Sequence, residues 1–457
     1  MSHSLERPVQ LYGSDADESA QRAAFRGGDV PVAVYGLGKM GLPLAAVYAD
    51  VTGATIGVDV DPDVVSTVND GDCHVAREPG LPELVSSVVE REALHAVSDG
   101  VAAAQMASVH VLMVPTLLRE DGEPDVSAIV SVVQDVAQGL DTGDLVVIES
   151  TVPPRTCQDL VVPVLTRESG LDADRFGVAC CPERTVSGQA LADIRGTHPK
   201  VVGGVDDEST RAAALVYDEL SDNEVIETSD ATTAAAVKVF EGVYRDVNIA
   251  LANQLGMYAR EMEIDVREAI EVANSQPFCD IHDPGPGVGG HCIPVYPYFL
   301  TEQFDRGAPL IETARTVNDG MPDYTVELLR TILRDEGVEL SDARVLVLGV
   351  TYKANIAELR NAPAKAIARR LHAVDASVLA VDPLLSEWPE FDGVTPVSLA
   401  TARSEDVDAV LLLTAHDEFR ELDWETFDAP ILDGRDAIDE SATDAEVHTI
   451  GGRWPNT

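Results

Sequence analysis

The sequence predicts an α/β protein with two doubly wound sheets joined by a helical middle, and three observations carry that prediction. Short apolar runs of strand length alternate with helical stretches in the first half, at residues 32–35, 54–58, 109–114 and 145–148, the rhythm of a parallel sheet. Between Asp230 and Arg260 the rhythm stops. Val237, Phe240, Tyr244 and Val247 recur there at three- and four-residue steps with no intervening proline, which reads as one long amphipathic helix. Past Pro322 the alternation resumes, with strands expected at 345–349, 378–382 and 410–413 and a helix at 362–372.

Taken in order, these elements divide the chain. A length of 457 residues exceeds what one core accommodates. Residues 1–28 are polar and read as a flexible acidic tail. Residues 29–225 form the first sheet domain, 226–325 the helical middle, and 326–457 the second sheet domain.

Composition narrows the function. The chain carries 79 acidic against 32 basic residues, a net charge of −47. Such a surface repels nucleic acid and anionic lipid, so neither is expected as a partner. The acids are dispersed along the chain rather than blocked, and Lys39, Lys200, Lys238, Lys353 and Lys365 stand among many arginines. That pattern reads as adaptation to high salt, with self-repulsion screened by the medium. Against so acidic a background, a cation inside a polar motif is a candidate ligand. Cys73, Cys157, Cys180, Cys181, Cys279 and Cys292 give neither a disulfide framework nor metal-ligand spacing. His282, His291 and His416 form no metal cluster by spacing, and no metal is expected. No apolar run reaches the roughly 18 residues of a membrane helix. The first residues lack an apolar signal core, so the cytoplasm is the expected compartment.

Two motifs carry chemistry. Gly36-Leu37-Gly38-Lys39-Met40-Gly41 follows a strand and opens a helix. Glycines at the first, third and sixth positions permit a tight turn and a close approach of pyrophosphate to the helix start. Asp59 ends the next strand, near the offset expected of an acid on the ribose hydroxyls. Gly36, Gly38, Gly41 and Asp59 therefore predict a dinucleotide site, with a ligand-free tight turn as the alternative. The carboxylate favours NAD over NADP, since it would repel a 2′-phosphate. The second motif, Pro284-Gly285-Pro286-Gly287-Val288-Gly289-Gly290-His291-Cys292-Ile293-Pro294, is too rich in glycine and proline for helix or strand. It predicts a shaped loop with backbone N–H groups free for an anion. Cys292 there is either a nucleophile, its thiolate favoured by His291 or a lysine, or a small buried thiol of no chemical role.

Together these motifs resemble the UDP-glucose/GDP-mannose dehydrogenase family, and within it the UDP-N-acetylmannosamine dehydrogenase branch. Further matches run along the chain: Glu78-Pro79-Gly80-Leu81, Pro115-Thr116, Glu149 to Pro154, Cys181-Pro182-Glu183-Arg184, Lys238, Arg245 to Ala250, Arg315 to Asn318, Gly349 to Lys353, Arg360 and Asp433-Gly434-Arg435. The resemblance implies two Rossmann-like domains flanking a helical dimerisation domain, hence a homodimer. It implies oxidation of a UDP-sugar C6 alcohol to the carboxylate by two NAD, for polysaccharide or glycan synthesis. Cys292 would attack the intermediate aldehyde. Lys238 would stabilise oxyanions, and Glu183 and Thr151 would place water or protons. Thr116 and Thr151 would join the cofactor site. Arg184, Thr185, Lys238, Arg245, Gly289, Tyr352, Lys353, Arg360 and Arg435 would meet the nucleotide sugar.

The chain departs from the family pattern in three places. Gly242 stands where the family carries an asparagine one turn after the lysine. Tyr296 stands where it carries an aspartate four residues after the cysteine. Gln276-Pro277-Phe278 replaces a stretch ending in arginine that reaches a neighbouring subunit's substrate. Two readings follow: a nucleotide-sugar 6-dehydrogenase, slow or altered, or a catalytically impaired paralogue that binds nucleotide sugar as a partner or regulatory subunit.

Overall fold

A computed structural model of the chain describes residues 9–186, 188–304, 306–385, 387–388 and 391–454. It forms two compact units, Met1–Phe240 with Tyr298–Gln303, and Glu241–Pro297 with Phe304–Thr457.

The first unit is built on an eight-stranded sheet in the order β10-β9-β8-β7-β4-β1-β2-β3. Its strands are β1 (Val32–Tyr35), β2 (Thr55–Val58), β3 (Leu94–Val97), β4 (Val109–Leu112), β7 (Leu145–Ile148), β8 (Gly177–Cys180), β9 (Lys200–Gly204) and β10 (Val225–Glu227), with a small hairpin of β5 (Leu117–Leu118) and β6 (Pro124–Asp125) beside it. Within the eight-stranded sheet the pairings are parallel except β8 with β9. β1, β4 and β7 are buried along their whole length, because helices cover both faces of such a sheet. That double burial is why these strands read as continuous apolar runs.

The second unit repeats the plan in six parallel strands, ordered β13-β12-β11-β14-β15-β16. They are β11 (Arg344–Leu348), β12 (Ser377–Val381), β13 (Val394–Pro396), β14 (Ala409–Leu412), β15 (Ile431–Asp433) and β16 (Val447–Thr449). In each sheet the strand order reverses beside the first strand, β1 or β11. Doubly wound sheets bind ligands at the carboxyl ends beside such a reversal. The glycine turn follows β1, and Gly349 to Lys353 follows β11.

Three expectations need correction. The segment before residue 29 is not a loose tail where it is described. A helix spans Glu18–Arg26, capped by the Asp17 carboxylate on the Ala20 N–H at 2.8 Å. Leu11 and Phe25 are buried in the first core, and Arg211 holds the Leu11 carbonyl at 2.7 Å. Burying a side chain the size of Phe25 contributes about 1.5–3 kcal/mol, and Tyr12 and Ala24 are buried with it. Residues 1–8 of the expected tail lie outside the described residues. Secondly, Pro322 does not separate two regimes. It lies inside a helix spanning Pro309–Asp335, with Met321 and Pro322 both buried. Thirdly, the long helix exists, over Ala231–Met257, but the stripe that predicted it faces outward. Phe240 and Tyr244 are 58% and 53% exposed, while Ala234, Val239, Gly242, Asp246, Ala250 and Asn253 are buried. On that side Gly242 lets the Tyr296 side chain approach the helix.

Candidate active site

In the first unit the glycine turn has the shape a dinucleotide requires. Gly36 sits at φ +93°, and a Cβ there would strike the Met113 carbonyl. A Cβ at Gly41 would strike the Gly36 carbonyl, whereas nothing lies within 4 Å of one at Gly38. The outer glycines thus close the turn and the middle one leaves a cradle open at the surface. Helix Gly41–Thr52 begins immediately after, without a side-chain cap. Asp59 accepts the Leu37 N–H on Oδ2 at 2.8 Å and the Asp61 N–H on Oδ1 at 3.0 Å. Its carboxylate is thereby aimed at the turn with lone pairs to spare for ribose hydroxyls. These residues fit the cofactor.

The turn is tied to the expected chemistry on the same unit. Thr185 donates from Oγ1 to Met40 Sδ at 2.9 Å, and Thr116 Oγ1 donates to the Thr151 carbonyl at 2.6 Å. Glu183 accepts the Thr185 N–H on its carboxylate. Glu183, Arg184 and Thr185 line one cavity with His198, Lys200 and Tyr217. Arg184 donates to the Pro199 carbonyl at 2.9 Å. Lys238 is half-buried.

Beneath that cavity lies a cluster that motif reading did not single out. The Glu149 side chain is fully buried, with Lys200 Nζ at 2.7 Å and the Tyr217 hydroxyl donating at 2.5 Å. Lys200 also stands 4.5 Å over the Tyr217 ring. Burial pushes the Glu149 carboxyl up to about 7 against the pull of Lys200. The Glu183 N–H donates to the Glu149 carbonyl at 3.1 Å, so this buried group lies directly behind a candidate acid–base residue.

In the second unit, residues 275–297 carry neither helix nor strand, as glycine and proline content predicts. Cys292 is an exposed thiol at the loop's end. The Val295 and Tyr296 N–H groups donate back to its carbonyl at 3.0 and 2.9 Å. The loop's other end is anchored by buried polar groups. Asn253 accepts the Gly285 N–H at 2.9 Å and donates to Asn318 at 2.9 Å. Asn318 and Arg315 donate to the Asp246 carboxylate at 2.8 and 2.6 Å. Arg267 donates to the Pro284 carbonyl at 2.6 Å. No sequence signal assigned these roles, because the partners lie tens of residues apart.

Tyr352, Arg360 and Arg435, three of the expected nucleotide contacts, lie against this loop. A Cβ at Gly289 or Gly290 would strike the Tyr352 side chain, so those glycines admit the aromatic ring. Lys353, Arg360 and Arg245 are exposed. Arg435 donates to the Leu413 carbonyl at 2.8 Å, and burial together with nearby Arg267 lowers its guanidinium to about 10, still charged at neutral pH. The turn bearing Tyr352 and Lys353 is braced from below. The Asn355 N–H donates to His416 Nδ1 at 3.0 Å, which leaves the proton on Nε2, 3.2 Å from Asp382. Burial raises the Asp382 carboxyl, but hydrogen bonds from His416 and the Leu384 and Val350 N–H groups leave it below the usual range. Of the departures, Phe278 is 94% exposed and Tyr296 is buried. A Cβ at Gly242 would press on the Tyr296 ring, 3.1 Å from its Cβ and Cγ and closer to Cδ2.

Comparisons with known proteins place this geometry. Residues 30–221 match the UDP-glucose/GDP-mannose dehydrogenase family NAD binding domain, 232–320 its central domain and 346–440 its UDP binding domain. The UDP-N-acetyl-D-mannosamine dehydrogenase of Salmonella typhi is 34% identical over 405 residues, 85% of this chain and 94% of its own. The NDP-N-acetyl-D-galactosaminuronic acid dehydrogenase of Ralstonia solanacearum is 35% identical over 410 residues, 88% and 94% of the two chains. The solved UDP-D-ManNAc dehydrogenase of Pyrococcus horikoshii superposes with a TM-score of 0.85 at 33% identity, covering 92% of this chain and 99% of that one. The chain is thus an NAD-dependent oxidoreductase and belongs to the UDP-glucose/GDP-mannose dehydrogenase family.

Proposed function

We propose that the chain oxidises the C6 alcohol of a UDP-sugar, UDP-N-acetyl-D-mannosamine first among UDP-HexNAc candidates, to the uronate in two two-electron steps. The carrying observation is Cys292, an exposed thiol on a loop fastened to the segment 352–361 of the domain that matches UDP binding. In the first step C6 loses a hydride and its hydroxyl a proton, leaving an aldehyde. NAD, when bound on the glycine turn, supplies the hydride acceptor for each step. The Cys292 thiolate then adds to the aldehyde carbon, forming an S–C bond as the carbonyl π pair moves to oxygen. The covalent adduct holds the carbon in place between steps. Loss of the second hydride leaves a thioester, and water displaces the thiolate to release the carboxylate.

Lys238 takes the role of oxyanion stabiliser. Glu183 and Thr151 help place water and protons at the reacting carbon. Arg184, Arg245, Lys353, Arg360 and Arg435 supply charge-assisted bonds to the nucleotide diphosphate, with Thr185, Gly289 and Tyr352 shaping the pocket. The outward stripe of Phe240, Tyr244 and Leu251 on the long helix, each about half exposed or more, supports a homodimer. No helix of the described residues is long and apolar enough to cross a membrane, and the cytoplasm is the proposed compartment. Dispersed acidity supports work in concentrated salt.

The test uses the full chain with UDP-N-acetyl-D-mannosamine and NAD in molar salt. Two NADH per sugar are expected, with acid product abolished in Cys292→Ser. One NADH per sugar, or acid product from the serine variant, would refute the cysteine mechanism, and no NADH at all would favour a binding paralogue.

A further inference from the structure

The loop before Cys292 holds glycines at 285, 287, 289 and 290, with Gly287 at φ +138° and Gly290 at φ +90°. A chain so free of side chains has a large conformational entropy to lose, so its conformation depends on what fastens it. Three contacts fasten the two residues just before the thiol, and all come from one segment. The Gly290 N–H donates to the Arg360 carbonyl at 2.9 Å. Asn361 Nδ2 donates to the Gly290 carbonyl at 2.9 Å. His291 Nε2 pairs with the Glu358 carboxylate. Glu358 is shared, since the Arg360 guanidinium lies 4.0 Å from the same carboxylate. Asn361 is held in the left-handed region at φ +51°, a conformation asparagine tolerates better than most residues. Its side chain is thereby aimed at the loop.

We propose that Asn361 and Glu358 are positioning residues that clasp the Cys292 loop to the Lys353–Arg360 segment, so that a nucleoside diphosphate bound on that segment orders the nucleophile. This rests on the nucleotide-binding reading of Lys353 and Arg360. A diphosphate that engages Arg360 restrains the backbone carbonyl already bonded to Gly290. It also draws the guanidinium from Glu358, leaving that carboxylate to His291. The nucleotide end of the substrate thus reports its presence to the reacting end through the protein, before any chemistry at C6.

Hydrogen–deuterium exchange on the full chain tests this with UDP as the probe. In the unaltered protein UDP slows exchange in peptides covering 350–360 and also in those covering 285–292, the latter by about fivefold, the weight of one ordinary hydrogen bond. Asn361→Gly removes the side chain while glycine accepts the same φ, so the fold is kept. In that variant protection of 350–360 is retained and loop protection falls below about twofold. Undiminished loop protection would overturn the clasp. Absence of protection at 350–360 in the unaltered protein would instead remove the nucleotide-binding premise, and the proposal with it. Kinetics supply a second readout that a purely structural residue would not give. Asn361→Gly and Glu358→Ala lower kcat about fivefold to tenfold with KM for the UDP-sugar little changed, and Glu358→Gln, which keeps an acceptor for His291, recovers most of the loss. A rise in KM at constant kcat would overturn the proposal.

Discussion

Gly242 and Tyr296 stand where the family resemblance implies an amide and a carboxylate, and the structure makes a quantitative statement about them. The Tyr296 ring lies against the backbone of the long helix, so that a Cβ at 242 would be 3.1 Å from two of its carbons and closer to a third. Gly242→Ala brings two opposed effects. Alanine stabilises a helix interior by about 1 kcal/mol relative to glycine. Crowding a buried ring costs about 1–3 kcal/mol. The sum is a loss of up to about 2 kcal/mol in the presence of Tyr296. Tyr296→Ala alone costs about 3 kcal/mol or more for emptying an aromatic site. In that background the obstruction is gone, and Gly242→Ala becomes stabilising by about 1 kcal/mol. The coupling is therefore about 1–3 kcal/mol, with a change of sign. Denaturant unfolding of the four proteins of this cycle measures it. An equal gain from Gly242→Ala in both backgrounds would refute the packing argument. The same logic bears on rate. Gly242→Asn alone destabilises without restoring activity, whereas Gly242→Asn with Tyr296→Asp seats both polar groups and raises NADH formation by about 10²-fold or more.

Three further outcomes follow from the buried groups and the cofactor turn. Lys200→Met leaves the Glu149 carboxylate buried without its cation and destabilises the chain by about 3–5 kcal/mol in urea unfolding; adding Glu149→Gln recovers most of the loss. Because the folded-state pKa of Glu149 is raised to about 7, its protonated form is favoured by folding. Its stabilising contribution is full below the ordinary carboxylate range and is lost as pH rises through 7, by up to about 3 kcal/mol. Stability measured from pH 4 to pH 8 should thus fall more steeply in the unaltered protein than in Glu149→Gln, and parallel curves would refute the shift. Asp59→Asn removes the charge facing the ribose while keeping an oxygen for the Leu37 N–H. The NADP-to-NAD preference in kcat/KM should rise about tenfold, and an unchanged ratio would place the cofactor's ribose elsewhere.

The sheet cores and the glycine turn were legible in the sequence because their constraints are local. β1, β4 and β7 are buried on both faces, so each is apolar throughout. Gly36 and Gly41 are required by backbone contacts within their own turn or strand neighbours. Orientation was less legible. Periodicity revealed the helix Ala231–Met257 but not which face it buries, since Phe240 and Tyr244 point away from the core and small residues packed on the other side leave no apolar stripe. The docked segment around Phe25 was not legible because its buried anchors, Leu11, Tyr12, Ala24 and Phe25, are scattered among polar and small residues with no sustained period.

Partnerships were not legible at all where topology supplies them. Asp246 meets Arg315 and Asn318, and His291 meets Glu358, across separations that no local spacing rule spans. The same limit governs how the departures are judged. Read along the chain, Gly242 and Tyr296 are two separate losses of polar function, each counting against activity. In space they are one packing arrangement. The ring can lie where it does only because position 242 has no side chain, and a side chain at 242 can return only if the ring leaves. A side chain at 242 alone meets the ring, and loss of the ring alone empties an aromatic site, so each change by itself carries a cost. The altered site is therefore a coupled change that preserves the close approach of the Cys292 turn to the helix, rather than an accumulation of independent damage. Its catalytic consequence follows from the two positions together, not from the absence of two polar groups taken one at a time.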